Sequence, residues 1–213
     1  MNKKGSGLFV TIEGGEGSGK STLIDRLYTY LIQEENLSVV KTFEPGGTPF
    51  GKLVREILLE KHDVQMSGKS ELLLFLSDRA HHVETLIKPA LEKGMVVLCD
   101  RFTDSSLAYQ GGARQIAKID PKMEEVCLFA TGGLVPDITF YLDIEPQEGL
   151  ARIKRGKDRL EKEHLSFHER VRENYLLLAQ KHPERIVVLD ATKSTDEVYQ
   201  AALKKLEETY HAL

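Results

Sequence analysis

No apolar run in the sequence is long enough to cross a membrane. The longest apolar segments, such as MVVLCD and ITFYLD, fall far short of the roughly 18 residues that a bilayer span requires. The N-terminal run LFVTI is short and lacks the small-residue cleavage pattern of a secretory signal. We therefore expect a protein without membrane segments that works in the cytoplasm.

Cysteine is scarce, and neither sign of charge is in large excess. Cys99 and Cys127 are too few for a disulfide framework, and neither has metal-ligating partners at zinc-finger spacing. This use of cysteine is typical of a reducing compartment. A formal net charge of -4 leaves no basic surface of the kind that nucleic acid requires, so we expect no nucleic-acid partner.

What the sequence does contain is an alternation of apolar runs and helical patterns. Five unbroken apolar runs end in turn residues, which favours parallel strands covered on both faces. Between them lie helical patterns, of which the first repeats Leu23, Leu27 and Leu31, and a longer one extends over residues 70–93. We predict an α/β fold in which helices flank one five-stranded parallel sheet. The five runs are LFVTIEG, SVVKTFEP, MVVLCD, DITFYLD and RIVVLD.

The segment GGEGSGKST, residues 14–22, contains a phosphate-binding pattern. Residues 14–21 match G-x-x-x-x-G-K-[ST] in full, and they lie between a predicted strand and a predicted helix, as the pattern requires. The backbone N–H groups would hold phosphate oxygens, Lys20 would reach the β- and γ-phosphates, and Ser21 would bind Mg²⁺. A glycine-rich turn with an incidental lysine is the alternative, whereas the spacing excludes a dinucleotide-binding fingerprint. The predicted ATP-binding residues are Gly14, Gly15, Glu16, Gly17, Ser18, Gly19, Lys20, Ser21 and Thr22.

The sequence also offers residues for a phosphate acceptor. No N-K-x-D stretch follows a strand, so a regulatory GTPase is not indicated. The second strand ends in FEPGGT and the third in DRFTDSSLAYQGG, both at the edge of the sheet where ligands bind in open α/β folds. Asp100 would orient Mg²⁺-bound water or serve as a helix N-cap, and Arg101 would bind phosphate. The helical sequence between these two strands, about 50 residues, could form one wall of a substrate cleft.

Taken together, these motifs resemble the thymidylate kinase family along the whole chain. The stretches that carry the resemblance are IEGGEGSGKST, EPGGT, LLLFLSDR, DRFTDSSLAYQGGAR and RGKDRLE…FHERVRENY. The resemblance implies a P-loop kinase sandwich, with a single domain over residues 1–213 and a mobile lid at approximately 150–163. It also implies a homodimer that transfers the γ-phosphate of MgATP to dTMP, giving dTDP for dTTP biosynthesis. The alternatives are a related kinase for dUMP, CMP or a deoxynucleoside, and a non-catalytic ATP-binding module.

The resemblance assigns roles to residues that match the family motifs. Glu16 would lie at the sugar 3′-hydroxyl side of dTMP, and Arg79 would donate to the base. Phe75 would stack on thymine, unless it is a core aromatic of a leucine-rich helix, and Tyr109 would exclude a 2′-hydroxyl. The adenine of ATP would lie near DATKST, residues 190–195. Base or phosphate-side contacts are implied for Ser106 and Gln110, and the acceptor-phosphate clamp for Arg55 and Arg101.

One position departs from the family pattern. Phe43 stands where the family usually has an arginine directly before EPGG, and that arginine contacts the acceptor phosphate. Its loss would remove a charge-assisted contact worth about 1.5–3 kcal/mol. We expect weaker acceptor binding unless Arg55 and Arg101 suffice.

Basic residues are concentrated in RIKRGKDR, residues 152–159. A solvated helix end is the usual explanation for such a run. However, phosphoryl transfer requires positive charge at the equatorial oxygens, and the phosphate loop contains no arginine. The chain therefore resembles the branch of the family with a catalytic arginine in the lid, for which Arg155 is the first candidate, before Arg159 and Arg152. The predicted catalytic residues are Lys20, Arg101, Arg155 and Arg159.

Overall fold

A five-stranded parallel sheet forms the centre of the protein, whose computed structural model describes residues 7–60, 66–116, 122–154 and 158–212. The strand order is β2-β3-β1-β4-β5, and all neighbouring strands are parallel. Each of the five apolar runs forms one strand, so the predicted sheet is confirmed. The strands are β1 (Phe9–Gly14), β2 (Val39–Phe43), β3 (Val96–Asp100), β4 (Ile138–Asp143) and β5 (Ile186–Asp190).

Helices pack against both faces of this sheet. No helix within the described ranges combines the length and apolarity that crossing a bilayer requires. The α-helices are α1 (Lys20–Gln33), α2 (Pro49–Arg55), α3 (Gly68–His82), α4 (Lys88–Glu92), α5 (Thr103–Ser106), α6 (Met123–Ala130), α7 (Pro146–Ala151), α8 (Leu165–Lys181) and α9 (Thr195–Ala212), and π-helical turns follow α2 (Glu56–Glu60), α3 (Val83–Ile87) and α5 (Leu107–Ala113).

Side chains point alternately to the two faces of the sheet along each strand, so the hydrophobic core is divided between the two faces. Val10 and Ile12 of β1 point to one face, where they pack with the leucine stripe of α1 and with the stripe of α9. Phe9 points to the other face, where its ring meets Phe102 edge to face. The helical periodicity of α1 is thus confirmed, because its three predicted leucines are buried. The α9 stripe consists of Val198, Ala202 and Leu206.

The long helical pattern of residues 70–93 is also confirmed, and it includes a π-helical turn. Helix α3 begins after Ser67, whose side chain accepts a hydrogen bond from the backbone N–H of Ser70. A π-helical turn over Val83–Ile87 then joins α3 to α4. Leu72 and Leu76 of this helix are buried, whereas Phe75 is only half-buried.

The strand order determines where a ligand can lie. Strand β1 is central, and the chain leaves it first toward β3 and β2 and later toward β4 and β5. In a parallel sheet of this kind, loops diverge at the point where the order reverses and leave a crevice at the carboxyl ends of the strands. The phosphate loop after β1 and Asp100 at the end of β3 both lie at that edge, because β1 and β3 are paired in register.

Candidate active site

The loop between β1 and α1 has the geometry of a phosphate-binding loop. Gly17 and Gly19 adopt φ angles of 69° and 95°, in the left-handed region that favours glycine. Lys20 begins α1, and its Nζ donates to the carbonyl oxygens of Gly14 at 3.1 Å and Gly15 at 2.9 Å. The ammonium group is therefore held against the loop backbone, beside the N-terminus of α1. The predicted order of strand, loop and helix is confirmed.

One cavity of about 570 Å³ brings the predicted site residues together. Its walls come from the phosphate loop, from the ends of β2 and β3, from α2 and α3, and from the segment after α7. Of the residues named from the sequence, it is lined by Glu16, Gly17, Ser18, Gly19, Lys20, Ser21, Thr22, Phe43, Arg55, Phe75, Asp100, Arg101, Ser106, Tyr109, Gln110 and Arg152.

Some predicted residues lie elsewhere. Among the described residues, Arg79 and Arg159 do not line this cavity. Gly14 and Gly15 are also absent from its lining, although their carbonyl oxygens hold Lys20. Arg155, the first candidate for the lid cation, lies outside the described residues.

Arg101 and Glu16 form an ion pair inside the cavity. Arg101 follows β3 with a φ of 68°, an unusual conformation for a residue with a side chain. Its Nη2 donates to Glu16 Oε1 at 2.5 Å, and its guanidinium carbon lies 5.1 Å from the centre of the Tyr109 ring. Burial acts to raise the pKa of Glu16, but Arg101 and Lys20 outweigh it and hold that pKa at about 2.

A buried carboxylate on β1 supports the turn that carries Arg101. Glu13 Oε1 accepts hydrogen bonds from the backbone N–H groups of Phe102 at 2.7 Å and Ser105 at 3.2 Å. Its Oε2 accepts from the hydroxyls of Ser105 at 2.6 Å and Tyr175 at 2.7 Å. Burial and the charge of Asp104 raise the pKa of Glu13 to about 7, although the bonds from Ser105 and Tyr175 oppose the shift. Glu13 thus fixes the backbone that follows Arg101.

The unusual Phe43 packs against one of the predicted clamp arginines. The guanidinium carbon of Arg55 lies 5.7 Å from the centre of the Phe43 ring, and Arg55 Nη1 donates to the carbonyl oxygen of Pro45 at 2.8 Å. Both side chains line the cavity. Phe43 therefore helps to hold Arg55 at the cavity wall, although it supplies no charge of its own.

The cavity is also lined by Phe75, Ser106, Tyr109 and Gln110, which the resemblance assigns to the acceptor nucleotide and which we call the base pocket for that reason. Phe75 is half-buried: one part packs on the core, and another part faces the cavity. Behind this pocket, Arg79 donates to the carboxylate of Glu44 at 2.8 Å and to Ser106 Oγ at 2.9 Å. A third bond joins Arg79 to the carbonyl oxygen of Phe102 at 2.8 Å. Its guanidinium is therefore engaged mainly by the protein itself.

Oxygen ligands suitable for Mg²⁺ are present at the phosphate loop. Asp100 Oδ1 is buried and has no hydrogen-bond partner among the described residues, although Asp100 lines the cavity. Ser21 lies there too, in the first turn of α1. Hard cations such as Mg²⁺ take carboxylate and hydroxyl oxygens, so this donor set fits. The alternative of Asp100 as a helix N-cap is wrong, because Phe102 holds that position before α5.

A second cluster of metal-ligating types lies in the core. Glu44, His82 and Cys99 bring potential ligand atoms within 4.8 Å of one another. However, the Glu44 carboxylate already accepts from Arg79 and contacts His82 Nδ1 at 2.9 Å. The other ring nitrogen of His82 bonds Thr42 at 2.7 Å. Glu44 and His82 are therefore satisfied by a hydrogen-bonded network with Arg79 and Thr42, and Cys99 Sγ donates to the carbonyl oxygen of Arg101 at 3.1 Å.

Two arginines that follow α7, Arg152 and Arg159, contact different parts of the structure. Arg152 Nη1 donates to the carbonyl oxygens of Gly17 at 3.4 Å and Ala191 at 3.3 Å. Arg159 lies on the opposite side, where Nη2 donates to Glu71 at 2.6 Å and Nε to the carbonyl oxygen of Leu58 at 2.7 Å. Arg152 therefore contacts the phosphate loop, whereas Arg159 contacts α3.

Comparison with known proteins agrees with this geometry. The family profile described as thymidylate kinase matches residues 12–202. The chain is 46% identical to a thymidylate kinase of Protochlamydia amoebophila over 97% of this chain and 95% of that protein, and 44% identical to one of Clostridium novyi over 94% and 97%. The crystal structure of a thymidylate kinase from Ehrlichia chaffeensis superposes with a TM-score of 0.75 at 32% identity, over 95% of this chain and 99% of that one.

The chain belongs to the thymidylate kinase family. As a member of that family it is a kinase with the α/β fold that the sequence predicted. The buried carboxylates that support the thymidylate kinase site were not identified from the sequence. Glu13 stands within the family stretch IEGGEGSGKST but before the phosphate-binding pattern itself, and Glu71 directly precedes the stretch LLLFLSDR, so the motifs assigned neither of them a role. The only available signal was a charged residue within an otherwise apolar element, which requires a partner.

Proposed function

We propose that this site transfers the γ-phosphate of ATP to the 5′-phosphate of dTMP, giving dTDP and ADP. The observation that supports this most strongly is that one cavity is lined both by a phosphate loop and by a base pocket, with Arg55 and Arg101 on its walls. A protein that only bound ATP would have no need of a second anion site. The product would be consumed in dTTP synthesis.

The donor side of the reaction is assigned to the phosphate loop. Lys20 would exchange its bonds to the loop carbonyls for the β- and γ-phosphate oxygens, and the N-terminus of α1 would add N–H donors. Ser21 and Asp100 would hold Mg²⁺, which when bound would neutralise charge on the β- and γ-phosphate oxygens. Near the opposite end of the loop, Arg152 and the DATKST segment would border the adenine.

The acceptor side is assigned to the two arginines and the base pocket. Arg55 and Arg101 would hold the phosphate of dTMP, for which Arg101 would exchange or share its bond to Glu16. Phe75 would stack on the base, and Tyr109 would leave no space for a 2′-hydroxyl. No general base is required because the attacking oxygen is already anionic at neutral pH, so transfer is direct and in line.

We further propose that residues 1–213 form one domain in which residues 150–163 act as a lid. Closure would deliver an arginine to the transferred phosphoryl group, with Arg155 as the first candidate and Arg152 and Arg159 after it, and would exclude water. Arg159 in its present position is bonded to Glu71 on the acceptor side. Support for the lid comes from the cavity itself, because Ile153, Lys154 and Asp158 belong to its lining.

We also propose a homodimer through an apolar surface on α2, α3 and α6, and a cytoplasmic location, where both substrates are made and used. Helix α3 packs on α2 and on α6, and these helices expose large apolar side chains. Such a surface is typical of a protein interface. Light scattering should report a dimer whose mass halves when Leu73 is changed to Glu. The exposed residues are Phe50, Leu53, Leu73, Val126 and Phe129.

ADP production from MgATP by the purified protein tests the function. The acceptors dTMP, dUMP, UMP, dCMP, CMP, AMP and GMP, and no acceptor, are compared side by side. We expect dTMP to give turnover well above the others. Preference for another monophosphate would refute the base assignment, and equal ADP production without acceptor would refute the kinase assignment itself.

A further inference from the structure

Two buried charged residues stand directly behind the two polar side chains of the base pocket. Glu71 Oε1 accepts a hydrogen bond from Gln110 Nε2 at 2.9 Å. Arg79, about two turns later on α3, donates from Nη1 to Ser106 Oγ at 2.9 Å. All four residues are 1% exposed, so these bonds are shielded from water and are strong.

Glu71 determines which end of the Gln110 amide faces the cavity. An ionised carboxylate only accepts hydrogen bonds, so it must face the amide nitrogen, and the carbonyl oxygen is the amide atom left for the cavity. Burial acts to raise the pKa of Glu71, but the bond from Gln110 and the charge of Arg114 outweigh it and lower that pKa. Glu71 is therefore ionised at neutral pH.

Arg79 leaves Ser106 with a hydrogen-bond donor for the cavity, whereas Glu71 leaves Gln110 with an acceptor. A guanidinium only donates, so Ser106 Oγ accepts from it and keeps its own hydroxyl proton for a different acceptor. Ser106 and Gln110 both line the cavity, so one side chain offers a donor and the other an acceptor. Thymine and uracil present the complementary pair, an O4 acceptor and an N3–H donor. Cytosine presents the reverse, an N4 amino donor and an unprotonated N3.

We propose that Glu71 is a positioning residue for base selection: it holds the Gln110 carbonyl oxygen toward the cavity and thereby selects a pyrimidine with N3–H over cytosine. This inference rests on the proposed function and specifies its selectivity. Through Oε2 the same carboxylate binds Arg159 at 2.6 Å and Arg114 at 3.2 Å. Glu71 therefore also ties the base pocket to the segment after α7.

The first test is Glu71→Gln, assayed with dTMP and with dCMP. An amide at position 71 both donates and accepts, so the Gln110 amide becomes free to turn. We expect the ratio of kcat/KM for dTMP to kcat/KM for dCMP to fall about tenfold or more. The matched control is Glu208→Gln, which removes a carboxylate that bonds Lys205 at 2.7 Å on the exposed side of α9, away from the cavity. In this control, the ratio of kcat/KM for dTMP to kcat/KM for dCMP should stay within about twofold of the unmodified protein.

Exchanging the Glu71 carboxylate and the Gln110 amide distinguishes a role in positioning the base from a role in folding. Gln110→Glu alone sets two carboxylates against each other, and we expect it to lose most dTMP turnover at neutral pH. Combined with Glu71→Gln, it restores an amide bonded to a carboxylate, with a carboxylate oxygen toward the cavity. We expect the double variant to recover selectivity for dTMP over dCMP relative to either single variant.

The outcomes are distinguishable. A Glu71→Gln protein that loses turnover with dTMP and dCMP in equal proportion, with no recovery in the double variant, would overturn the positioning role and leave Glu71 as a structural residue. If Glu71→Gln alone does not fold, the double variant decides: selectivity for dTMP over dCMP there supports the positioning role, and its absence overturns that role. If the unmodified protein does not phosphorylate dTMP, the proposed function itself has failed, and this inference fails with it.

Discussion

Gly17 of the phosphate loop and Gly149 of α7 pack backbone against backbone. A Cβ on Gly17 would lie 2.0 Å from the carbonyl oxygen of Gly149, and a Cβ on Gly149 would lie 2.2 Å from the carbonyl oxygen of Glu16. Real Cβ atoms do not approach backbone oxygens so closely, so both positions require glycine. The helix that leads into the proposed lid is therefore in direct contact with the loop that holds the phosphates.

We predict that Gly149→Ala damages both stability and catalysis. The added methyl group must push α7 away from the phosphate loop, at a cost of about 1–3 kcal/mol in the free energy of unfolding. We expect a lower midpoint in urea denaturation and a lower kcat. Gly68→Ala is the control, because its Cβ would meet Ile116 at 3.4 Å and Arg114 at 3.8 Å, which are ordinary contact distances. Equal behaviour of the two variants would show that the contact between loop and helix is unimportant.

The ion pair of Glu16 and Arg101 makes stability depend on pH. The folded state lowers the pKa of Glu16 from 4.5 to about 2, so its ionised form stabilises the fold. That stabilisation is complete above about pH 4.5 and is lost as the pH falls toward 2. Glu16→Gln should therefore lower the free energy of unfolding by about 1–3 kcal/mol near neutral pH. The difference from the unmodified protein should shrink in denaturant titrations near pH 3, and a difference independent of pH would contradict the assignment.

Phe43 offers a test of the acceptor clamp. Phe43→Arg introduces a guanidinium at the cavity wall, and we expect it to lower the KM for dTMP because it adds a charge-assisted contact to phosphate. Phe43→Leu is the companion variant, since it removes only the ring beside Arg55. Loss of that contact is worth about 0.5–1 kcal/mol and should raise the KM a few-fold. An unchanged or higher KM for dTMP in Phe43→Arg would refute the view that phenylalanine at position 43 weakens dTMP binding.

The proposed lid predicts a division of effects among its arginines. Arg155→Ala should lower kcat by about 10³-fold or more while changing the KM values little, because its contact is made in the transition state. Arg159→Ala should act mainly through the KM for dTMP, since Arg159 is bonded to Glu71 on the acceptor side. The reverse pattern in steady-state kinetics would assign the catalytic cation to Arg159.

The parts of this structure that could be predicted are those that depend on local sequence. The five apolar runs predicted all five strands, and the central strands β1, β3 and β4 are buried along almost their whole length, as apolar runs of this kind indicate. The edge strands β2 and β5 are only partly buried, and β2 includes the exposed Lys41. The phosphate loop was predictable because its glycines, Lys20 and Ser21 are adjacent in the chain and match a pattern whose backbone geometry is local.

The partners of buried charges could not be predicted in this way. The resemblance assigned Arg79 to the base, but its observed partners are Glu44, which follows β2, and Phe102 and Ser106, which follow β3. The same is true of Arg159, which basic composition placed with the lid and which bonds Glu71 on α3. Which of several charged residues form a pair is decided by the tertiary packing, and the sequence pattern around each one carries no record of it.

Product identification tests the central claim most directly. The protein would be incubated with MgATP and dTMP, and the nucleotides separated and quantified, with Lys20→Ala as the control that keeps the fold while removing the phosphate-binding cation. The account predicts one dTDP for each ADP with the unmodified protein and no dTDP with Lys20→Ala, whose circular dichroism should be unchanged. ADP without dTDP, or substantial dTDP from Lys20→Ala, would contradict it.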